Sequence, residues 1–144
     1  MKALIICKSV HQGNTKKVAE AIAKVLKAEI KQPEEVKDIS GYDLVGFGSG
    51  IYAFRHHKEL FCLVDKLDGK GKKAFMFSTS SSGNTGYHKA LKEKLIKKGF
   101  NIIGDFSCKG LDKFGPLALI GGLNKGRPNK EDLKKAEDFA KIIL

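Results

Sequence analysis

The sequence lacks the features that would mark a membrane-spanning or disulfide-stabilised protein. In its 144 residues, no apolar run approaches the roughly 18 residues that a membrane span requires. The apolar N-terminus is too short for a signal peptide, so the expected location is the cytoplasm. Three widely spaced cysteines form no Cys-x-x-Cys pair, and the histidines show no ligand spacing with them. We therefore expect free thiols in or near the core, and no metal site, from Cys7, Cys62 and Cys108.

Arginine is scarce although the chain is strongly basic. Of 27 basic residues only Arg55 and Arg127 are arginines, which leaves 25 lysines, and the formal net charge is +11. A field of this sign favours acidic partners. Arginine is the usual side chain for bidentate recognition of phosphates and bases, and the lysines are spread along the whole chain. We therefore do not expect nucleic-acid binding.

Two common nucleotide-binding patterns are also missing. The sequence contains no GxxxxGK[ST] motif, which disfavours a nucleoside triphosphate as ligand. The run GFGSG at residues 46–50 departs from GxGxxG, and no predicted helix follows it at once. The dinucleotide fingerprint is therefore absent as well.

Apolar strand-like runs alternate with amphipathic helical runs along the chain. The predicted strands cover residues 3–7, 29–31, 43–48, 73–78 and 101–107. The predicted helices cover about 14–27, 57–67 and 87–98, and a last helix follows Pro128 with Asn129 as its N-cap. The Gly-rich segment 110–126 has no predicted element. This alternation predicts one doubly wound α/β domain over residues 1–144, a parallel sheet with helices on both faces.

Three loops of unusual composition follow predicted strands, at the sheet edge where open α/β sheets bind ligands. The first, residues 9–15 (SVHQGNT), leads directly into a helix. The free backbone N–H groups and the dipole of a helix N-terminus favour a phosphate. The competing interpretation is a plain helix cap at Asn14 or Thr15.

The second and third loops favour a flat, partly polar ligand. Residues 49–55 (SGIYAFR) place aromatic side chains where they could pack on a planar ring, or alternatively under the following helix. Residues 78–87 (STSSSGNTGY) offer hydroxyl and N–H groups for the edge of a heterocycle, with Tyr87 able to stack on its face. Such a polar loop could also be a flexible linker. Together the three loops predict a ligand with a phosphate and a ring.

The segments ALIICKSVHQGNTKKVAEAIA, GSGIYAF and STSSSGNTGY resemble the short-chain flavodoxin family, over nearly the whole chain. The resemblance implies a five-stranded parallel sheet of order 2-1-3-4-5, non-covalently bound flavin mononucleotide (FMN), and transfer of one or two electrons between redox partner proteins. It assigns the phosphate to residues 9–15, one side of the flavin ring to 50–54, and the pyrimidine edge and opposite side to 79–87. The implied cofactor-binding residues are Ser9, Val10, His11, Gln12, Gly13, Asn14, Thr15, Gly50, Ile51, Tyr52, Ala53, Phe54, Thr79, Ser80, Ser81, Ser82, Gly83, Gly86 and Tyr87.

The chain departs from the family pattern in three ways. His11 and Gln12 make the first loop one residue longer than usual. Because tryptophan is absent, the aromatic cover of the ring falls to Tyr52, Phe54 or Tyr87. The family is usually acidic, so the charge of +11 predicts redox partners with acidic docking surfaces.

Two other functions stay open at the level of sequence. The basic run Arg55-His56-His57-Lys58 could receive an anionic substrate, as in a flavodoxin-like oxidoreductase acting on a quinone or on protoporphyrinogen, or it could be a solvated helix start. The fold could also serve as a flavin-free binding module. Cys7 and Cys108 end predicted strands, so a thiol beside a flavin is a further possibility next to plain core packing.

Overall fold

A parallel sheet forms the centre of the computed structural model, which describes residues 1–9, 13–110 and 126–144. Its strands are β1 (Ala3–Lys8), β2 (Glu29–Lys31), β3 (Leu44–Tyr52), β4 (Arg55–His56), β5 (Lys73–Ser80) and β6 (Asn101–Lys109). The order is β2-β1-β3-β5-β6, all parallel, while the two-residue β4 pairs antiparallel with the end of β3. With the short β4 set aside, the predicted order 2-1-3-4-5 is confirmed.

Helices cover both faces of this sheet. The described part of the chain contains α1 (Asn14–Leu26), α2 (Lys58–Asp65), α3 (Lys89–Lys97) and α4 (Lys130–Ile143), with short 3-10 turns at Pro33–Glu35 and Thr85–His88. Side chains alternate along a strand, so Ile5 packs with α1 and α4, whereas Leu4 packs with α2 and α3. Each face therefore has its own core, and the predicted doubly wound architecture is confirmed.

The central strands are apolar on both faces. In β5 the four residues from Ala74 to Phe77 are fully buried, and β1 and β3 show the same continuous burial. Burying one large apolar side chain contributes roughly 1.5–3 kcal/mol to stability. The strands that lead to the carboxyl edge are thus the most strongly held part of the fold.

The helix ends follow the capping signals in the sequence. The Asn129 side chain accepts a hydrogen bond from the Asp132 N–H (2.9 Å), and the Asp132 carboxylate accepts one from the Asn129 N–H (2.9 Å). Arg127 also pairs with Asp132. At the other end of the molecule, α3 is followed by Gly99 in a left-handed conformation (φ +91°). The predicted N-cap of the last helix is confirmed, and the left-handed Gly99 is a typical residue for the C′ position that follows a helix.

The strands extend further toward the carboxyl edge than the apolar pattern predicts. β3 continues past Gly48, and β5 and β6 end two residues later than expected, because the backbone ladder continues through polar residues. Ser49 pairs with Ser78, which pairs with Ser107 in turn. The helix predicted from residue 57 begins one residue later. Apolar side chains mark where a strand is buried, whereas hydrogen bonding sets where it ends.

The three cysteines differ in burial. Cys7 and Cys108 are buried, as predicted, but Cys62 on α2 is exposed, so the expectation of a core thiol is wrong for that residue. In the described ranges, no helix is long and apolar enough to cross a membrane.

Candidate functional site

The carboxyl ends of the parallel strands bring the first and third predicted loops together. The hydroxyl groups of Thr15, in the first turn of α1, and Thr79, near the end of β5, lie 2.8 Å apart and are buried. A Cβ added at Gly110, just beyond β6, would lie 3.1 Å from the Asn14 side-chain nitrogen and 3.2 Å from the Thr79 Cβ. The ends of β5 and β6 thus lie directly against the start of α1.

The start of α1 has features that suit an anion. Gly13 caps the helix in the left-handed region (φ +71°), and its carbonyl accepts a hydrogen bond from the Lys17 N–H (3.1 Å). The Ser9 hydroxyl accepts one from the Lys16 N–H (3.3 Å), so this predicted side chain lies at the helix N-terminus. No acidic residue occupies the first turn, which leaves the positive end of the helix dipole uncompensated. Three predicted residues lie outside the described residues: Val10, His11 and Gln12.

The second predicted loop is a tight hairpin rather than an irregular loop. Tyr52 at the end of β3 pairs with Arg55 of β4. The residues between them, Ala53 (φ 51°) and Phe54 (φ 67°), are both left-handed, as a type I′ turn requires, although such turns usually contain Asn or Gly. A bulky residue in this conformation stores strain, which proteins tend to retain at functional positions. Phe54 is 79% exposed at the tip.

The exposed Phe54 ring of the hairpin and the half-buried Tyr87 ring of the third loop meet at this edge. The Phe54 and Tyr87 rings have centroids 6.1 Å apart and are tilted by 44°. Tyr52 is 39% exposed, and its ring makes an edge-to-face contact with the His57 ring, with centroids 5.0 Å apart. The predicted aromatic residues thus line one region, whereas Gly50 and Ile51, also predicted, lie in β3 just before it.

The third predicted loop is held by its own hydrogen bonds. The Ser80 hydroxyl accepts one from the Gly83 N–H (2.9 Å), and the Asn84 side chain accepts one from the Gly86 N–H (2.7 Å). The Gly110 N–H donates to the Ser80 carbonyl (3.1 Å), which ties the loop to the end of β6. Further along, the Ser82 hydroxyl donates to the Tyr87 hydroxyl at 3.4 Å. These bonds argue against the flexible-linker interpretation.

A buried polar network beneath this edge was not predicted from the sequence. The His88 ring lies between the Ser78 hydroxyl (2.6 Å from Nε2) and the Asp105 carboxylate (2.8 Å from Nδ1), and Ser78 is 3.0 Å from the Ser107 hydroxyl. The His56 ring packs against His88 with centroids 4.8 Å apart. The sequence signal for it is the His56-His57 pair: His56 ends β4 and is buried, whereas His57 is the half-buried N-cap of α2.

The acceptors in this network fix the proton positions. A carboxylate only accepts, so His88 donates from Nδ1 to Asp105 and accepts from the Ser78 hydroxyl at Nε2. The order serine, histidine, aspartate is that of a hydrolytic triad. Because Ser78 is fully buried, no substrate can reach its hydroxyl, and the chain of bonds is structural.

Burial keeps both histidines of this network neutral. It lowers the pKa of His56 to about 3, helped by the nearby His88 ring. Burial also lowers the pKa of His88, although the Asp105 carboxylate opposes this shift. His56 donates from Nε2 to the Phe77 carbonyl (2.9 Å), and its Nδ1 has no hydrogen-bond partner among the described residues.

The predicted basic cluster at residues 55–58 does not form. His56 is buried, and the His57 ring accepts a hydrogen bond from the Glu59 N–H (3.1 Å) as the cap of α2. The Arg55 guanidinium lies over the Phe61 ring, 4.9 Å from its centroid. Arg55 and Lys58 remain as exposed cations at a capped helix start. The alternative interpretation, a helix start in solvent, describes this segment better.

The buried thiols near the edge are protonated. Burial raises the pKa of Cys7 to about 12 and that of Cys108 to about 12. Both side chains belong to the core on the α1 and α4 face. A neutral, buried thiol packs as a small apolar group and is a poor nucleophile, which favours the core-packing interpretation.

Lysines occur at the helix starts along this edge, accompanied by acidic residues in the first turns of α2 and α4. A lysine is the first or third residue of each described helix: Lys16, Lys58, Lys89 and Lys130. The helix dipole disfavours a cation at this end by roughly 0.3–1 kcal/mol. Residues that are locally unfavourable, such as a lysine at a helix N-terminus, are typical of functional surfaces. The starts of α1 and α3, which have no acidic residue in their first turn, therefore favour anionic ligands or partners.

Comparison with known proteins agrees with this architecture. The sequence pattern of the family described as Flavodoxin domain matches residues 4–110. An uncharacterized protein of Methanocaldococcus jannaschii is 50% identical over 148 residues, which cover 100% of this chain and 99% of that protein. The family match spans the strands and loops that form the carboxyl edge.

Solved structures share the fold at lower sequence identity. A flavodoxin from the domain Archaea superimposes with a TM-score of 0.70 at 18% identity, covering 99% of both chains. A flavoprotein of Lactobacillus acidophilus NCFM in complex with FMN gives a TM-score of 0.60 at 22% identity, covering 72% of this chain and 91% of that one. With the family match over residues 4–110, this chain belongs to the flavodoxin-domain family.

Proposed function

We propose that this protein binds FMN non-covalently at the carboxyl edge of its sheet and carries electrons between redox partner proteins in the cytoplasm. One observation carries the proposal: the start of α1, the aromatic hairpin and the hydroxyl-rich loop meet at that edge. Membership of the flavodoxin-domain family supports it. So does the fold shared with a flavoprotein described in complex with FMN.

The donor set at the start of α1 fits a phosphate. Backbone N–H groups of the first turn, the Ser9 hydroxyl and the first-turn Lys16 are the groups that bind phosphates at helix N-termini. Gly13 places no side chain in front of them, and a Cβ added there would meet no heavy atom of the described residues within 4 Å. We assign the phosphate to residues 9–15, of which 10–12 lie outside the described residues.

The hairpin and the third loop fit a flat heterocycle. Tyr52, Phe54 and Tyr87 offer aromatic faces for stacking. We assign the polar edge of the ring to residues 79–83 and 86, of which Gly83 and Gly86 donate their N–H groups within the loop and so fix its shape. When bound, FMN would supply the capacity to accept and return one or two electrons. The protein's own contribution is to hold the ring, limit its contact with water and set the surrounding charge.

The cations at the edge should stabilise the reduced, anionic flavin. One unit charge at about 10 Å contributes roughly 1.7 kcal/mol at an effective dielectric constant near 20. We therefore expect a less negative reduction potential than in an acidic flavodoxin. Because salt screens exposed charges, the potential should shift with ionic strength, and a potential that ignores salt would contradict this expectation.

The same charge favours redox partners that dock through acidic surfaces. Lys89 begins α3 and Lys109 ends β6, and both are exposed at this edge. We also propose Lys113 and Lys125 as docking residues, and both lie outside the described residues. Complementary charge accelerates the encounter of two proteins more than it strengthens the final complex. The electron donor and acceptor are thus expected to be acidic proteins.

The test is an absorption spectrum of the purified protein, before and after FMN is added and then reduced stepwise. Flavin bands with a one-electron intermediate would support the carrier. Bound flavin that passes directly to the two-electron state would favour the oxidoreductase acting on a quinone or on protoporphyrinogen, although the segment 55–58 no longer supports an anionic substrate. A colourless protein that does not quench FMN fluorescence would overturn both and favour the flavin-free binding module.

A further inference from the structure

Two buried histidines join the segments that carry the Phe54 and Tyr87 rings. His56 follows the hairpin tip residue Phe54 by two positions, and His88 directly follows Tyr87. The two imidazole rings are 4.8 Å apart and inclined by 47°. Each histidine is 1% exposed. Neither was among the predicted cofactor-binding residues.

Each of these rings is anchored to the sheet. His56 donates a hydrogen bond from Nε2 to the Phe77 carbonyl of β5 (2.9 Å). His88 is held by Ser78 of β5 and by Asp105 of β6. β4 has only two residues, so its ladder alone holds the strained hairpin weakly. The imidazole of His56 is therefore a principal link between the hairpin and the interior of the sheet.

The separation of Phe54 and Tyr87 depends on these anchors. Their centroids are 6.1 Å apart. The two rings are tilted by 44° and contact each other, whereas a planar ligand stacked between two aromatic side chains needs parallel rings about 7 Å apart. Both the spacing and the tilt of Phe54 and Tyr87 thus decide whether both can contact such a ligand, and sites loosened by about 1 Å commonly fail.

We propose that His56 and His88 are positioning residues for the flavin ring, and that their contact sets the separation of Phe54 and Tyr87. This inference rests on the proposed FMN function. The His56 Nδ1 has no hydrogen-bond partner among the described residues, so one hydrogen bond and the contact with His88 define the position of that ring.

Two substitutions at one position test the proposal. His56→Leu removes the donor to the Phe77 carbonyl, whereas His56→Gln retains an amide N–H that can reach it. We expect FMN binding to weaken about tenfold in His56→Leu and to stay within about threefold of wild type in His56→Gln. Quenching of FMN fluorescence, measured well below the unfolding temperature of each protein, gives the affinities. If wild type binds FMN and His56→Leu binds equally well, the proposal fails and the FMN function stands, even where Tm is lower.

A measurement without flavin separates the two possible failures. Amide hydrogen exchange of peptides covering residues 50–57 reports how firmly the hairpin is held. We expect exchange about tenfold faster in His56→Leu than in wild type, with His56→Gln close to wild type. Unchanged exchange in His56→Leu would overturn the anchoring role. If wild type does not bind FMN, the proposed function fails, and with it the positioning role, while the exchange result still decides the anchoring.

Discussion

Thr15 and Thr79 share a buried hydrogen bond of 2.8 Å that joins the first turn of α1 to the end of β5. The two residues are 64 positions apart in the sequence. Their side chains are 3% and 6% exposed, so neither hydroxyl has free access to water. The pair therefore holds together the two segments to which we assign the phosphate and the polar edge of the ring.

Removing one hydroxyl of this pair should cost more stability than removing both. Thr15→Val or Thr79→Val leaves the other hydroxyl buried and unpaired, at a cost of about 1–3 kcal/mol in the free energy of unfolding. The double variant replaces both by apolar groups of the same shape and should lie close to wild type. Urea unfolding of the four proteins measures the coupling. Losses that simply add would show that the bond contributes nothing of its own.

The left-handed conformation of Gly13 predicts that an alanine variant is less stable than an asparagine variant at this position. Gly13→Ala should destabilise the protein by about 1 kcal/mol, because a Cβ is strained at φ +71°. Gly13→Asn is the matched control, since asparagine tolerates this conformation better. Among the residues that the structure describes, an added Cβ would meet no heavy atom within 4 Å, so we attribute the loss to backbone strain. Alanine and asparagine variants of equal stability, in thermal unfolding, would contradict the conformation.

The two buried histidines predict that stability falls in mild acid. The pKa of His56 is about 3 in the folded protein against an ordinary value of 6.5, so the unfolded chain binds a proton that the folded protein does not. The stability present above pH 6.5 is lost as the pH falls, by about 2 kcal/mol at pH 5 from this residue. Because burial lowers the pKa of His88 as well, that residue adds to the loss.

Urea unfolding at pH 7 and pH 5 measures this effect. His56→Gln cannot titrate, and it should therefore lose clearly less stability than wild type over the same interval. The carboxylates titrate alike in both proteins, so the difference isolates the histidine. Parallel pH profiles for the two proteins would refute the depressed pKa.

Charge at the carboxyl edge should govern electron exchange with small charged oxidants. Lys109 ends β6 at this edge, whereas Lys73 begins β5 at the opposite edge, and both are exposed. In the FMN-loaded, reduced protein, Lys109→Glu should slow oxidation by hexacyanoferrate(III) several-fold, by about 2–10, and speed oxidation by hexaammineruthenium(III) at low salt. Stopped-flow absorbance gives both rates.

Lys73→Glu is the matched control for this experiment. It changes the net charge by the same amount but lies far from the proposed flavin, so both rates should stay near wild type. High salt should abolish the effect of Lys109→Glu, because exposed charges are screened. Equal effects of the two substitutions would place the reacting group elsewhere.

The alternation of strands and helices and the two-sided core could be predicted because apolar periodicity records burial, whereas the order of the strands was implied by the resemblance to short-chain flavodoxins. The first apolar run gives the first strand, and the amphipathic run from Asn14 gives α1 almost to the residue. The capping pair Asn129 and Asp132 likewise marks the start of α4. Where the strands end could not be predicted, since Ser49 and Thr79 are polar but still belong to the ladder.

The hairpin and the histidine network could not be predicted for a related reason. Ala53 and Phe54 form a turn with two positive φ angles. Such a turn is normally recognised in a sequence by asparagine or glycine, and neither residue is present here. Without that turn, nothing brings His56 back to the sheet and against His88. The contact therefore depends on a backbone conformation that neither residue type encodes.

The row formed by Ser49, Ser78 and Ser107 has a consequence for how the edge opens. The three residues are adjacent across three strands, Ser78 is bonded to Ser107, and Ser49 accepts a hydrogen bond from the His57 N–H. A loop that detaches from the end of one of these strands therefore also breaks hydrogen bonds of the adjacent strands. Partial unfolding at this rim should therefore proceed as one cooperative unit, so the lifetime of a bound ligand reflects the interior of the sheet as much as the loops that touch it.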